Sequence, residues 1–299
     1  LDLKEEFDYP IYAKINNKSF TVLVDRNSKY DKTNCNFYQK EELTQVFINT
    51  KDKIKYQADI ENLMTDIVSN DSFSSEVKAT LIKDLAKETV RNLFEDEVTP
   101  EALKSVDNVL TSKIEFILKD ELAIKSLLKV VSYDYYTSTH CIDVATYALG
   151  FGCYLKLPKK DLKTLGKAAL LHDLGKRRVS KDIICKNGKL TKEEFEIVKS
   201  HPKHSVDILK EQGETNTRLI KIVEQHHEKC DGSGYPYGLK ANEIDEFAKI
   251  LAICDIFNAL TTKRSYKEKL DKYEAYMIMY EQMQGHISYY YLKKFLEFL

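Results

Sequence analysis

Ala169-Leu170-Leu171-His172-Asp173-Leu174-Gly175-Lys176 sets an imidazole beside a carboxylate at the end of an apolar run, with an ammonium one turn later. Further along, Glu224-Gln225-His226-His227-Glu228 supplies a second adjacent pair, and Asp231-Gly232-Ser233-Gly234-Tyr235-Pro236 follows it. The chain has 7 histidines, and five of them (His140, His172, His201, His226 and His227) read as one metal site. Neighbours on a helix differ by about 100° around its axis, so His172 and Asp173 can both reach an ion lying off one side. A carboxylate can bridge two ions, which a neutral imidazole cannot. With Asp255, the set offers only nitrogen and oxygen donors. That mix suits iron, manganese or zinc and lacks the thiolates of a structural zinc site. Two divalent ions about 3.5–4 Å apart acidify a shared water and clamp a phosphoryl oxygen, so the expected chemistry is phosphoryl hydrolysis.

Other residues of the same types are read more plainly. His204, one turn after His201, and His286, after Gly285, are expected at the surface. Asp143, one turn after His140, is expected to be solvated or to support a ligand. Glu228 is expected to orient a ring or form an ion pair. Cys230 and Cys254 are expected to be small buried hydrophobes.

The elements that must position these residues follow from the pattern along the chain. At 299 residues there is room for two domains. Tyr9–Ile15 and Ser19–Val24 flank an Asn-rich turn and read as a hairpin, with Lys40–Val46 as a short helix and Val46–Ile48 as a short strand. Residues 1–60 thus read as a small α/β module. From about Ile60 the apolar spacing becomes helical. Ser74-Ser75-Glu76 and Thr99-Pro100-Glu101 are helix starts, and residues 61–130 read as a helical linker. Residues 131–299 read as all-helical: one helix carries His140 near its start, another runs from Pro158 to His172, and a third carries Asp255. The tyrosines at 289–291 read as packing for a terminal helix.

Composition narrows the function class. A net charge of −1 excludes broad phosphate neutralisation along a nucleic acid, but a small anionic ligand needs only a local basic cluster. The 6 cysteines form no Cys-x-x-Cys pair, which suits a reducing cytoplasm. No apolar stretch approaches the ~18–20 residues of a membrane span, and no signal-peptide pattern opens the chain, so a cytoplasmic location is expected.

From His140 to Lys267 the chain resembles an HD-GYP domain, a branch of the HD phosphohydrolase superfamily. The resemblance rests on His140, His172-Asp173-Leu174-Gly175-Lys176, Leu190-Thr191 before Glu194, and His201-Pro202. It continues through His226-His227-Glu228, Asp231 to Pro236, Ala252 to Asp255, and Ala259 to Lys267. It implies a mainly α protein: a C-terminal all-helical HD-type bundle after the small α/β module. The implied activity is metal-dependent hydrolysis of cyclic di-GMP to pGpG, GMP or both. The implied cofactors are two divalent ions, iron first and manganese next. By resemblance, His140, His172, Asp173 and Asp255 hold one ion, while Asp173, His201, His226 and His227 hold the other. Lys176 faces the scissile phosphate, Arg264 and Lys267 bind phosphate, and Asp231, Gly234, Tyr235 and Pro236 shape the substrate mouth. Members with three metals carry a Glu where this chain has Tyr136, so two ions are expected here. Diguanylate-cyclase domains are implied as partners of the Gly-Tyr-Pro loop. Two rivals stand beside this expectation: a cyclic-dinucleotide receptor or interaction module with little turnover, and a hydrolase of a related substrate such as cyclic GMP-AMP.

Overall fold

The computed structural model describes residues 6–16, 19–29, 46–120, 122–131, 137–186, 188–263 and 269–299. Its chain divides into two compact units, Leu1–Asp71 and Ser72–Leu299.

The first unit is built on short antiparallel strands. β1 (Glu6–Phe7) pairs with β4 (Ser28–Lys29), and β2 (Ile11–Asn16) lies between β3 (Ser19–Val24) and β5 (Val46–Ile48). The hairpin and the short strand expected from β-branched and aromatic residues are therefore present. The expected helix over residues 40–46 lies almost wholly outside the described residues. Phe7, Tyr9, Ile11 and Val24 form a small core, against which Leu23, Ile48 and Tyr56 pack. Helix α1 (Lys53–Ser69) runs unbroken through residue 60, and the Tyr9 hydroxyl donates to its Asp59 at 2.8 Å.

The second unit is helical. α2 (Ser75–Glu95) and α3 (Pro100–Lys119) start on Ser74 and Thr99, whose hydroxyls accept from Val77 and Ala102 amides. These caps satisfy backbone donors that the first turn leaves over. α4 (Ala123–Lys129) follows. At the centre lie α5 (Thr137–Tyr154), α6 (Lys159–Leu171) and α11 (Glu246–Thr261). α5 and α11 are buried on nearly every side, which is why their sequences are apolar around the whole circumference rather than along a stripe. α13 (Tyr289–Phe298) closes over them: Phe295 packs edge-on against Phe151 and Phe257, each at 5.1 Å. Burying each such ring contributes about 1.5–3 kcal/mol. Around this centre run α7 (Lys181–Ile184), α8 (Lys192–Val198), α9 (His201–Glu211), α10 (Thr217–Gln225) and α12 (Lys272–Gln282). No described helix is long and apolar enough to cross a membrane.

Candidate metal centre

Three of the histidines are aimed by one local device. The last carbonyls of a helix have no partner within it. α6 uses such a carbonyl, Ala169 O, to accept the Nδ1–H of His172 at 2.7 Å. At the end of α8 the Val198 carbonyl does the same for His201, and near the end of α10 the Val223 carbonyl does so for His226, each at 2.7 Å. A carbonyl only accepts, so Nδ1 carries a proton and Nε2 is the ring nitrogen left facing inward. His140, on α5, is aimed differently: its Nδ1–H donates to Asn258 Oδ1 at 2.7 Å. Asn258 is buried one turn after Asp255 on α11. Its part was not visible in sequence, where it reads as an ordinary polar residue.

Neither His172 nor Asp173 lies within α6: His172 caps its C-terminal end, and Asp173 caps the turn that follows. α6 ends at Leu171, and Leu174–Arg178 forms a tighter 3-10 turn, so the carboxylate swings into the centre. That turn is pressed against α9: a Cβ on Gly175 would lie 2.1 Å from the His201 carbonyl. Ser205 clamps the contact, accepting from the Gly175 amide at 2.7 Å and donating to the His172 carbonyl at 2.8 Å. The motif glycine is thus what lets His172 and His201 approach each other.

The donors converge in two groups. One ligand atom each from Asp173, His201, His226 and His227 lies within 4.8 Å of the others, and so do atoms of His140, His172 and Asp255. Asp173 spans the two. Its Oδ1 is 3.2 Å from His201 Nε2, and its Oδ2 is 3.5 Å from His172 Nε2 and 3.8 Å from His140 Nε2. His140 Nε2 is 3.0 Å from Asp255 Oδ1.

This arrangement fits cations. Burial pushes the imidazoles of His172 and His226 down, the latter well down, and takes His227 to about 3, so these rings are neutral at pH 7. His201 Nε2 and His226 Nε2 face each other across 3.3 Å in a buried pocket. Neither His172 Nε2 nor Asp173 Oδ1 has a hydrogen-bond partner among the described residues. Burial opposes the charge of Asp173, but the Lys176 ammonium beside it leads the opposing influences, and the carboxyl is held well below its ordinary range. Bare nitrogens around an ionised carboxylate repel one another until a cation lies between them. Cys141 approaches His172 and Asp173, yet burial holds its thiol far up, so it is a protonated packing group.

Lys176 Nζ donates to Asp173 Oδ2 at 2.6 Å. Tyr235 lays its ring on His227, centroids 4.7 Å apart and planes 34° apart. Gly234 lets this loop fold back, since a Cβ there would meet Lys229 N at 2.2 Å. Asp231 braces the loop, accepting from the Ser233 amide at 2.9 Å and its hydroxyl at 2.8 Å, and faces His286 Nε2 at 3.5 Å. Pro236 follows Tyr235 through a cis bond. His204 and His286 belong to neither donor group. Asp143 is not solvated: it is buried, with Lys83 Nζ 4.0 Å away. Arg264, Lys267 and Tyr136 lie outside the described residues.

Glu228 has a part that its place beside the His pair only hinted at. It is buried, and its carboxylate accepts from the Tyr237 amide at 2.6 Å and the Leu239 amide at 2.8 Å. It therefore ties the loop after Tyr235 to the segment that holds His226 and His227. Glu228→Ala is expected to lower stability by about 2 kcal/mol or more, because it strands two amides that now bond to a charged acceptor. Urea unfolding of the metal-free protein would show it, and an unchanged midpoint would remove the brace.

The family model described as HD domain matches residues 105–289. The cyclic di-GMP phosphodiesterase PA4108 of Pseudomonas aeruginosa is 32% identical over 216 residues, 70% of this chain and 51% of that protein. The 3'3'-cGAMP-specific phosphodiesterase 3 of Vibrio cholerae is 37% identical over 153 residues, 51% of this chain and 33% of that protein. The chain thus spans about half or less of the length of these relatives. Among solved structures, Bd1817, a HDG"Y"P protein from Bdellovibrio bacteriovorus, superposes with a TM-score of 0.72 at 18% identity, over 98% of this chain and 95% of that one. With the His172-Asp173 pair and the Gly234-Tyr235-Pro236 loop of the HD-GYP branch in place, the chain belongs to the HD domain family.

Proposed function

We propose that this chain is a metal-dependent phosphodiesterase that hydrolyses cyclic di-GMP, and that the converging Nε2 lone pairs around Asp173 carry the chemistry. The supporting observation is how those rings are aimed: Nδ1 of His140, His172, His201 and His226 is each spent on an outward acceptor, which turns every Nε2 toward the centre. His140, His172, Asp173 and Asp255 would hold one divalent ion, and Asp173, His201, His226 and His227 the other, with iron favoured and manganese second. Such ions, when bound, supply Lewis-acid charge and acidify water.

The chain's own groups do the rest. Lys176 brings an ammonium beside Asp173, where charge develops on the phosphoryl oxygens. Tyr235 covers His227 and borders the substrate mouth. Arg264 and Lys267 are assigned to the phosphates by resemblance. Residues 1–60 are assigned to sensing and 61–130 to a helical link, and diguanylate-cyclase domains are carried over as partners of the Gly-Tyr-Pro loop. This substrate class puts the reaction in the cytoplasm.

A second reading, hydrolysis of cyclic GMP-AMP, is favoured by the likeness to the Vibrio cholerae enzyme named for that substrate. The test is anaerobic purification, metal content per chain, and turnover of both cyclic dinucleotides with products separated by chromatography. Two metals and formation of pGpG or GMP are expected. Faster turnover of cyclic GMP-AMP would select the second reading. Full loading and tight binding without turnover would make the chain a receptor.

A further inference from the structure

Outward from the centre, Tyr235 covers His227, and Phe195 meets Tyr235 edge-on, centroids 6.4 Å apart with planes at 82°. Phe195 is 47% exposed, although it is one of the largest apolar side chains on α8. Lys199 Nζ lies 5.3 Å from the Phe195 centroid and 5.9 Å from that of Tyr235. Glu196 steadies this ammonium at 2.5 Å. Two rings and a cation therefore form one wall that starts at a buried histidine and ends in solvent.

The wall is held still. Thr191 and Glu194 close a reciprocal cap at the start of α8, and both Glu194 carboxylate oxygens lie 2.7 Å from Lys186 Nζ. A ring presented on a fixed helix loses little freedom when a ligand covers it, so a flat ligand gains most of the stacking energy. No residue of α8 is buried, so the helix has no core stripe to explain an exposed phenyl ring.

We propose that Phe195, with Lys199 beside it, is the subsite for a purine base of the bound cyclic dinucleotide, a step that rests on the phosphodiesterase reading above. The occupant follows from chemistry and continuity. A purine has a π-face for the ring and an electron-rich edge for the ammonium. An apolar peptide would gain nothing from Lys199. The same wall reaches His227 through Tyr235, so a base held at Phe195 belongs to the molecule whose phosphate lies at the centre.

The test uses the full manganese-loaded chain as wild type, Phe195→Ala and Phe195→Trp. Two substrates are compared, cyclic di-GMP and bis-p-nitrophenyl phosphate, a diester without a purine. In Phe195→Ala the loss of kcat/KM is expected to be about 10–100-fold for cyclic di-GMP, carried mainly by KM, and at least about tenfold smaller for the purine-free diester. Phe195→Trp is expected to stay near wild type. A cyclic dinucleotide containing 2-aminopurine should be quenched on binding to wild type and the Trp variant, and not to the Ala variant. Equal losses on both substrates, or unchanged kinetics and quenching in Phe195→Ala, would overturn the subsite. If wild type binds cyclic di-GMP without turning it over, the dissociation constants of the same variants decide the matter, and only the hydrolytic reading fails. If wild type neither binds nor cleaves any cyclic dinucleotide, both fall together.

Discussion

Asp173→Ala is expected to strip both metals from the protein and to lower turnover of cyclic di-GMP by at least about 10³-fold, the scale of losing a metal centre's contribution to phosphoryl transfer. The expectation comes from position rather than from residue type. The other donors divide into two groups, and among the described residues Asp173 is the side chain that addresses both, with Oδ1 toward His201 and Oδ2 toward His172 and His140. Loss of a peripheral member such as His140 would remove one donor from one group. Loss of Asp173 removes the central negative charge, and the neutral rings of His226 and His227 cannot replace it. Nothing would then offset the mutual repulsion of two cations. Metal analysis per chain reads the result directly. One ion retained at full occupancy in Asp173→Ala would show two independent sites. The carboxylate would then be a ligand of one of them only.

The candidate cluster was legible because metal chemistry needs rare residue types in close company, and the structure brings those side chains together. Seven histidines in the chain, five of them in matching motifs, leave little room for another reading of His172, His201, His226 and His227. The helices were legible as well, since Ser74, Thr99 and Thr191 announce their starts by side-chain chemistry. What sequence did not carry was direction. It could not tell that the helix stops before the His172-Asp173 pair, because the turn at Leu174–Arg178 depends on Gly175 lying against α9, a contact distant along the chain. It could not assign Asn258 to His140, 118 residues away. Nor could it tell that Asp143 would be buried near Lys83 rather than solvated, since helices predicted one at a time do not reveal which faces meet. Glu228 was visible as a residue beside the site, but its partners are backbone amides, which no sequence pattern names.

Lys176→Met is expected to keep two metals and to lower kcat by about 10²–10³-fold, the usual loss when one preorganised positive group is withdrawn from a developing oxyanion. The structure offers two parts for this side chain, and the experiment separates them. Lys176 lies 2.6 Å from Asp173 Oδ2, so it could act only by keeping that carboxylate charged. In that case its removal would weaken metal binding first, and activity would return when excess metal is supplied. The alternative follows from its partial exposure: the Lys176 side chain is 18% accessible while that of Asp173 is 1%. An ammonium standing between a buried carboxylate and solvent is also positioned to meet an incoming phosphate. Once cations neutralise Asp173, the lysine's pairing there weakens, and its charge is available to substrate. Lys176→Arg keeps the charge but replaces a compact ammonium by a planar fork, so it should recover only part of kcat. Full metal content with a collapsed kcat and a nearly unchanged KM would identify a group acting on the transition state. Metal loss that parallels activity loss would instead make Lys176 a positioning partner of Asp173, and the catalytic charge would have to come from elsewhere.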